Sequence, residues 1–137
     1  MTPIAWTPAL QLDFPPVDNP HQAFVRLLAQ AQTAPDHELL AHWQAVLTHT
    51  EGVFQIEDRW MRTTRYPGAD THSLQHRIVL NLMREGLGKG RSGKLAPLRE
   101  MTTELASWFT KHTQAQDAAL ALHMRRHPTG QSGTART

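Results

Sequence analysis

Two histidines four positions apart, His72 and His76, are the first residues in this chain whose spacing could do chemistry. On a helix that spacing throws both rings from one face, roughly 5–6 Å apart along the axis, which suits two imidazoles on one ion. By itself such a pair is more often a solvated feature of a surface helix. The other segments change its meaning, because each carries a metal-ligating group among apolar residues. His21 precedes the stripe Phe24, Val25 and Leu28. Glu57 lies in the span from Phe54 to Met61, and His112 follows Trp108 and Phe109, with Asp117 five residues later. A carboxylate buried there is costly unless a cation compensates it. The chain has nine histidines and no cysteine. Disulfides, thiolate metal sites and thiol nucleophiles are therefore excluded, and a first-row transition metal would be held by nitrogen and oxygen.

The elements that must position these groups are helical throughout. At 137 residues the chain is long enough for one domain with a real core. Residues 1–18 read as an extended arm, broken by Pro3, Pro8, Pro15 and Pro16, from which Ile4, Trp6, Leu10, Leu12 and Phe14 could lie on a core. Asn19-Pro20 reads as an N-cap and N1 pair opening a helix to about residue 33, and Asp36 as the N-cap of a second, to about residue 64. A third runs from about Asp70 until the glycines at 86, 88, 90 and 93, which read as a flexible loop. A fourth carries Leu95, Leu98, Met101, Leu105, Trp108, Phe109 and Leu120 before a polar tail. The expectation is an all-α, up-down-up-down four-helix bundle with an extended N-terminal arm: arm 1–18, metal-binding bundle 19–126, polar tail 127–137. Bundle cores commonly hold metals between facing helices. Trp43, Trp60, Trp108, Met83 and Met101 read as core filling, and His42, His123 and His127 as surface residues.

The segments VDNPH at 17–21, FQIED with Met61 at 54–61, YPGADTHSLQH at 66–76 and LASWFTKHTQAQD at 105–117, with Trp6 in the arm, resemble the hemerythrins, including the bacteriohemerythrins and the HHE cation-binding domains. Order and spacing agree from Trp6 to about residue 124. The resemblance implies a non-haem di-iron cofactor, with His72, His76 and His112 on one iron, Glu57 and Asp117 bridging, and His21 on the second. It implies Phe24, Phe54 and Trp108 as walls of a dioxygen pocket, beside Val53. A five-residue spacing puts His112 and Asp117 well off one face of an ideal helix, so there the resemblance alone carries the assignment. Thr113 stands where the family has a bulky aliphatic residue, implying a more polar pocket.

The chain departs from the family at Val53, where a second-iron histidine is implied one turn before Glu57. His49 stands eight residues before Glu57, about 12 Å along the axis, too far to substitute unless the helix is distorted. The second iron then keeps only His21 and the carboxylates, which implies lower affinity and a site that is partly occupied, exchangeable or open to chemistry beyond reversible oxygen binding. The leading expectation is an oxygen carrier, buffer or sensor and not an enzyme; the alternatives are a di-iron enzyme acting on peroxide or nitric oxide, and a metal-binding or storage module without gas chemistry. The ligand expected is dioxygen or another small diatomic or peroxide. A net charge of +2 from 14 Lys+Arg against 12 Asp+Glu, with no basic stripe, argues against nucleic acid. No run of 18 apolar residues and no signal-peptide layout are present, so a cytoplasmic protein without membrane association is expected. The sequence leaves any protein partner unknown.

Overall fold

The computed structural model describes residues 2–127 and is helical, with no strand among the described residues. A 3-10 turn, Pro8–Leu10, interrupts the arm, and the α-helices are α1 Pro15–Thr33, α2 Asp36–Thr63, α3 Ala69–Arg91, α4 Leu95–His112 and α5 Ala118–Arg126, with a π-helical turn Thr113–Asp117 joining the last two into one continuous fourth column. Short connections at 34–35, 64–68 and 92–94 reverse the chain. α1 packs on α2, α2 on α3, α3 on α4, and α4 back on α1. The result is the closed up-down-up-down bundle expected from the helical periodicity. No helix among the described residues is long and apolar enough to cross a membrane.

Three boundaries differ from those expected, each for a physical reason. α1 begins at Pro15, not at Asn19. Pro15 and Pro16 fill the first helical positions, where a missing N–H costs nothing. Asp18 then turns back to accept the backbone N–H of Phe14 at 3.0 Å and of Leu12 at 2.8 Å. Pro20 consequently sits inside the helix, where its ring removes one hydrogen bond. Asp36 does not cap α2: Pro35 holds the cap position, and Asp36 pairs with Arg99 of α4 at 2.8 Å. The glycines of α3 form helix, not loop, as far as Arg91. Gly86 and Gly90 face neighbouring helices, where a Cβ would stand 2.6 Å from Met101 Sδ and 2.7 Å from Leu40 Cδ1 respectively. Their bareness is what lets the helices approach. Only Gly93, at φ 85°, ends the helix: Lys94 N–H closes on Lys89 O and Gly93 N–H on Gly90 O, the Schellman arrangement. The tail expected at 127–137 lies, from residue 128, outside the described residues.

The apolar core is divided. One cluster includes Phe24, Leu28, Trp43, Phe54, Val79, Met83, Leu98 and Phe109; the other consists of Phe14, Val17, Trp60, Met61, Leu120, Ala121 and Met124. On α1, α2 and the fourth column the switch from one cluster to the other falls at a polar residue: His21, Glu57, and His112 with Asp117. Trp43, Trp60 and Met83 are buried as core, and Trp108 and Met101 are half-buried against it. Trp43 also donates its indole N–H to Met83 O at 3.0 Å. In the arm, Leu10 and Phe14 are buried, and Ile4 and Trp6 pack on the first cluster.

The glycines give a direct test of this packing. At Gly88 and Gly52 a Cβ would meet nothing within 4 Å, so Gly88→Ala and Gly52→Ala should each add roughly 0.5–1 kcal/mol of stability. Gly90→Ala, which meets Leu40 and Leu98, should gain less or lose roughly 1–3 kcal/mol. Urea unfolding midpoints check the ordering; an equal gain at Gly90 would contradict the close packing.

Candidate metal centre

Four columns each lend side chains to one buried layer. α1 supplies His21, α2 Glu57, α3 His72 and His76, and the fourth column His112 and Asp117; all six are buried. His72 and His76 project from one face of α3, with ring centroids 4.6 Å apart. In an ideal α-helix, five residues turn through roughly 500°, leaving two side chains roughly 140° apart. The π turn removes that obstacle between His112 and Asp117. Ala118 N–H reaches back five residues to Thr113 O, and Asp117 Oδ1 comes to 3.2 Å from His112 Nε2.

The two carboxylates face two ways. Glu57 turns Oε1 toward His76 Nε2 at 3.2 Å and His72 Nε2 at 3.6 Å, and Oε2 toward His21 Nε2 at 3.5 Å. Asp117 turns Oδ1 toward His72 Nε2 at 3.0 Å and His112 Nε2 at 3.2 Å, and Oδ2 toward His21 Nε2 at 3.4 Å. One side of the layer therefore has three imidazoles and one oxygen from each carboxylate. The other has one imidazole and the remaining two oxygens. On the three-histidine side, the five ligand atoms lie within 4.8 Å of one another. Three ring Nε2 atoms, with Glu57 Oε1 and Asp117 Oδ1, are close but not aligned for hydrogen bonding, and none has a hydrogen-bond partner. Clustered buried polar atoms without partners are rare because each loses its hydration uncompensated. A cation removes that cost, and nitrogen with carboxylate oxygen suits a first-row divalent ion.

The opposite ring nitrogens are fixed from behind. His76 Nδ1 donates to Asp58 Oδ1 at 2.9 Å, and His112 Nδ1 donates to Gln75 Oε1 at 2.9 Å. With the proton on Nδ1, each Nε2 lone pair points into the cluster. Neither Asp58 nor Gln75 stands out in the sequence. Each adjoins a site residue, Glu57 or His76, but adjacency on a helix does not show which way a side chain turns. His49 is not brought to the layer: its Nε2 lies 2.9 Å from Pro20 O, tying α2 to the backbone of α1.

Phe24, Val53, Phe54 and Trp108 line a cavity of about 20 Å³ that also borders His21, Thr50, His112 and Asp117. That is room for one water-sized or diatomic guest. Phe54 and Trp108 also stack on ligand-side rings, Phe54 on His76 at 3.8 Å and Trp108 on His112 at 4.4 Å. Thr113, expected to make this pocket more polar, is fully buried but is not one of its lining residues.

In the metal-free chain the histidines answer the carboxylates. Burial opposes ionisation of Glu57, yet His21, His72 and His76 hold its pKa well below the usual value. Burial and Glu57 both oppose ionisation of Asp117, but His112 and His72 bring its pKa down. Burial lowers the pKa of His72, but the Asp117 and Glu57 carboxylates outweigh it and lift the value to about 9. His21 and His76 are raised in the same sense.

Comparison with known proteins points to a cation-binding family. The family model described as the Hemerythrin HHE cation binding domain matches residues 15–131. A bacteriohemerythrin from Ralstonia nicotianae is 33% identical over 117 residues, which is 85% of this chain and 85% of that protein.

The raised histidines give a pH test with a definite sign. His72 binds its proton more tightly folded than unfolded, so its contribution to stability is complete below pH 6.5 and is lost as pH climbs through about 9. The urea midpoint of chelated protein should therefore fall between those values. Divalent-metal affinity should rise over the same range, because protons then compete less for Nε2. A flat midpoint with flat affinity would show that the rings carry no excess protons.

Proposed function

This chain belongs to the hemerythrin family, and from that premise we propose that it binds dioxygen at a non-haem centre of two iron ions held unequally. The observation that supports this reading best is the division of each carboxylate, with one oxygen toward three histidines and the other toward His21. Under this reading Glu57 and Asp117 would each offer an oxygen to both ions, His72, His76 and His112 would complete the tighter site, and His21 alone would complete the weaker one. Bound, the iron pair supplies the electrons that reversible dioxygen binding requires. The chain's own contribution is shape and exclusion. Phe24, Val53, Phe54 and Trp108 leave a cavity sized for a diatomic and keep bulk water from the layer.

Val53 supports a second reading. An aliphatic side chain lines the cavity where the family resemblance implies an imidazole, so the His21 side offers few protein donors. An ion there would be open to turnover of peroxide or nitric oxide, making the protein an enzyme. The two readings divide on one experiment: anaerobically reduced, iron-loaded protein is exposed to air while its absorption and iron content are followed. A band that appears in air and disappears when dioxygen is removed is the expected result. Steady turnover of added peroxide or nitric oxide at the expense of excess reductant identifies the enzyme, and an iron-free protein with no spectral response contradicts both.

Two substitutions test the asymmetry. Val53→His should raise iron content toward two per chain and prolong the air-induced band, although repacking could cost about 1–3 kcal/mol. His49→Ala should leave iron content unchanged, since its ring nitrogen is engaged by Pro20 O. Loss of the second iron in His49→Ala, measured by metal analysis, would contradict the assignment of His21 as that ion's only imidazole.

A further inference from the structure

Asp58 is the carboxylate beside the centre that reaches solvent. Its side chain is 26% exposed, against 3% for Glu57 and Asp117, and it borders an open groove with Gln55, Leu80 and Arg84. Its position is nonetheless fixed. Ser73 Oγ donates to Asp58 Oδ1 at 2.8 Å, beside the 2.9 Å bond from His76 Nδ1. Phe54 lies flat on the His76 ring, with centroids 3.8 Å apart and planes 7° apart, so ring and carboxylate are clamped together. The other imidazoles of the layer are backed differently. His112 donates to the neutral amide oxygen of Gln75, and Nδ1 of His21 and of His72 has no hydrogen-bond partner. One imidazole in four thus has an anion behind it.

We propose that Asp58 is a positioning residue that makes His76 the strongest donor of the layer and thereby sets the affinity and reduction potential of the ion on the three-histidine side. This rests on the di-iron reading above. A carboxylate accepting from Nδ1–H polarises the ring and raises the basicity of Nε2, while a neutral amide fixes orientation alone. The added negative charge favours the more highly charged, oxidised ion. The inequality between the two halves is therefore electronic as well as a matter of donor count, and it originates partly outside the donor set.

Two variants of the full chain separate charge from orientation. Asp58→Asn keeps the size and an acceptor for the ring N–H; Asp58→Ala removes both. Metal-free parent and variants are titrated anaerobically with iron(II), and the midpoint potential of each loaded protein is then measured. Asp58→Ala should lose about 10–100-fold in affinity at the tighter site. Asp58→Asn should keep its iron and show a higher potential; a tenfold loss of preference for ferric over ferrous iron is about 59 mV. Should Asp58→Ala fail to fold, the potential of Asp58→Asn decides. An unchanged potential in Asp58→Asn overturns the proposal, as does parent-like affinity in a folded Asp58→Ala. Those results in a parent that binds iron leave the di-iron reading standing, whereas a parent that takes up no iron overturns both.

Discussion

The structure depends on two carboxylates, Glu57 and Asp117, placed inside an apolar bundle at 2% exposure each. Either one alone would be costly to bury, and two near each other add repulsion at low effective dielectric. What makes the placement tenable is the ring of imidazoles around them: without metal the carboxylates raise the pKa of His21, His72 and His76, and a bound cation would meet their Nε2 lone pairs. The division of the apolar core follows from the same constraint. The bundle tolerates a charged layer because one hydrophobic cluster packs on one side of it and a second on the other.

Much of this was legible in the sequence, since helical periodicity reports burial and burial of a charged group reports a compensating ion. The His72–His76 spacing, Glu57 among apolar neighbours and the four-column arrangement could be read in that way. The meeting of His112 with Asp117 could not, because an α-helix puts residues five apart on different faces. It takes the π turn at Thr113–Asp117, and the advantage of that turn lies in tertiary contacts with the other three columns. The start of α1 was hidden for a related reason. Asn19-Pro20 has the local chemistry of a helix start, but Asp18 satisfies the N–H groups of Leu12 and Phe14, and the helix extends back to Pro15. The glycines of α3 misled in the same direction: composition suggested a loop, whereas Gly86 and Gly90 are places where neighbouring helices come close.

The supporting residues illustrate a different limit. Asp58 and Gln75 each hold the back of a ring, but a single sequence shows only that a polar residue adjoins a site residue. His49 shows the converse. As a histidine one turn from the position where a ligand is implied, it invites promotion, yet its ring is engaged by the carbonyl of Pro20. Val53 thus stands on the cavity without an imidazole substitute. The two halves of the layer differ in imidazole count, in aromatic stacking and in the charge behind their rings, while they share the same two carboxylates. On the proposed two-iron reading, such a layer should take up its ions in order and hold them with different strength.

The most direct test is calorimetric titration of the metal-free protein with iron(II) under anaerobic conditions, in the parent and in His21→Ala. A layer with two unequal halves predicts two binding events per chain in the parent, the first tighter than the second, and loss of the second alone in His21→Ala. A single event that His21→Ala leaves unaltered, or two events of equal strength, would contradict it.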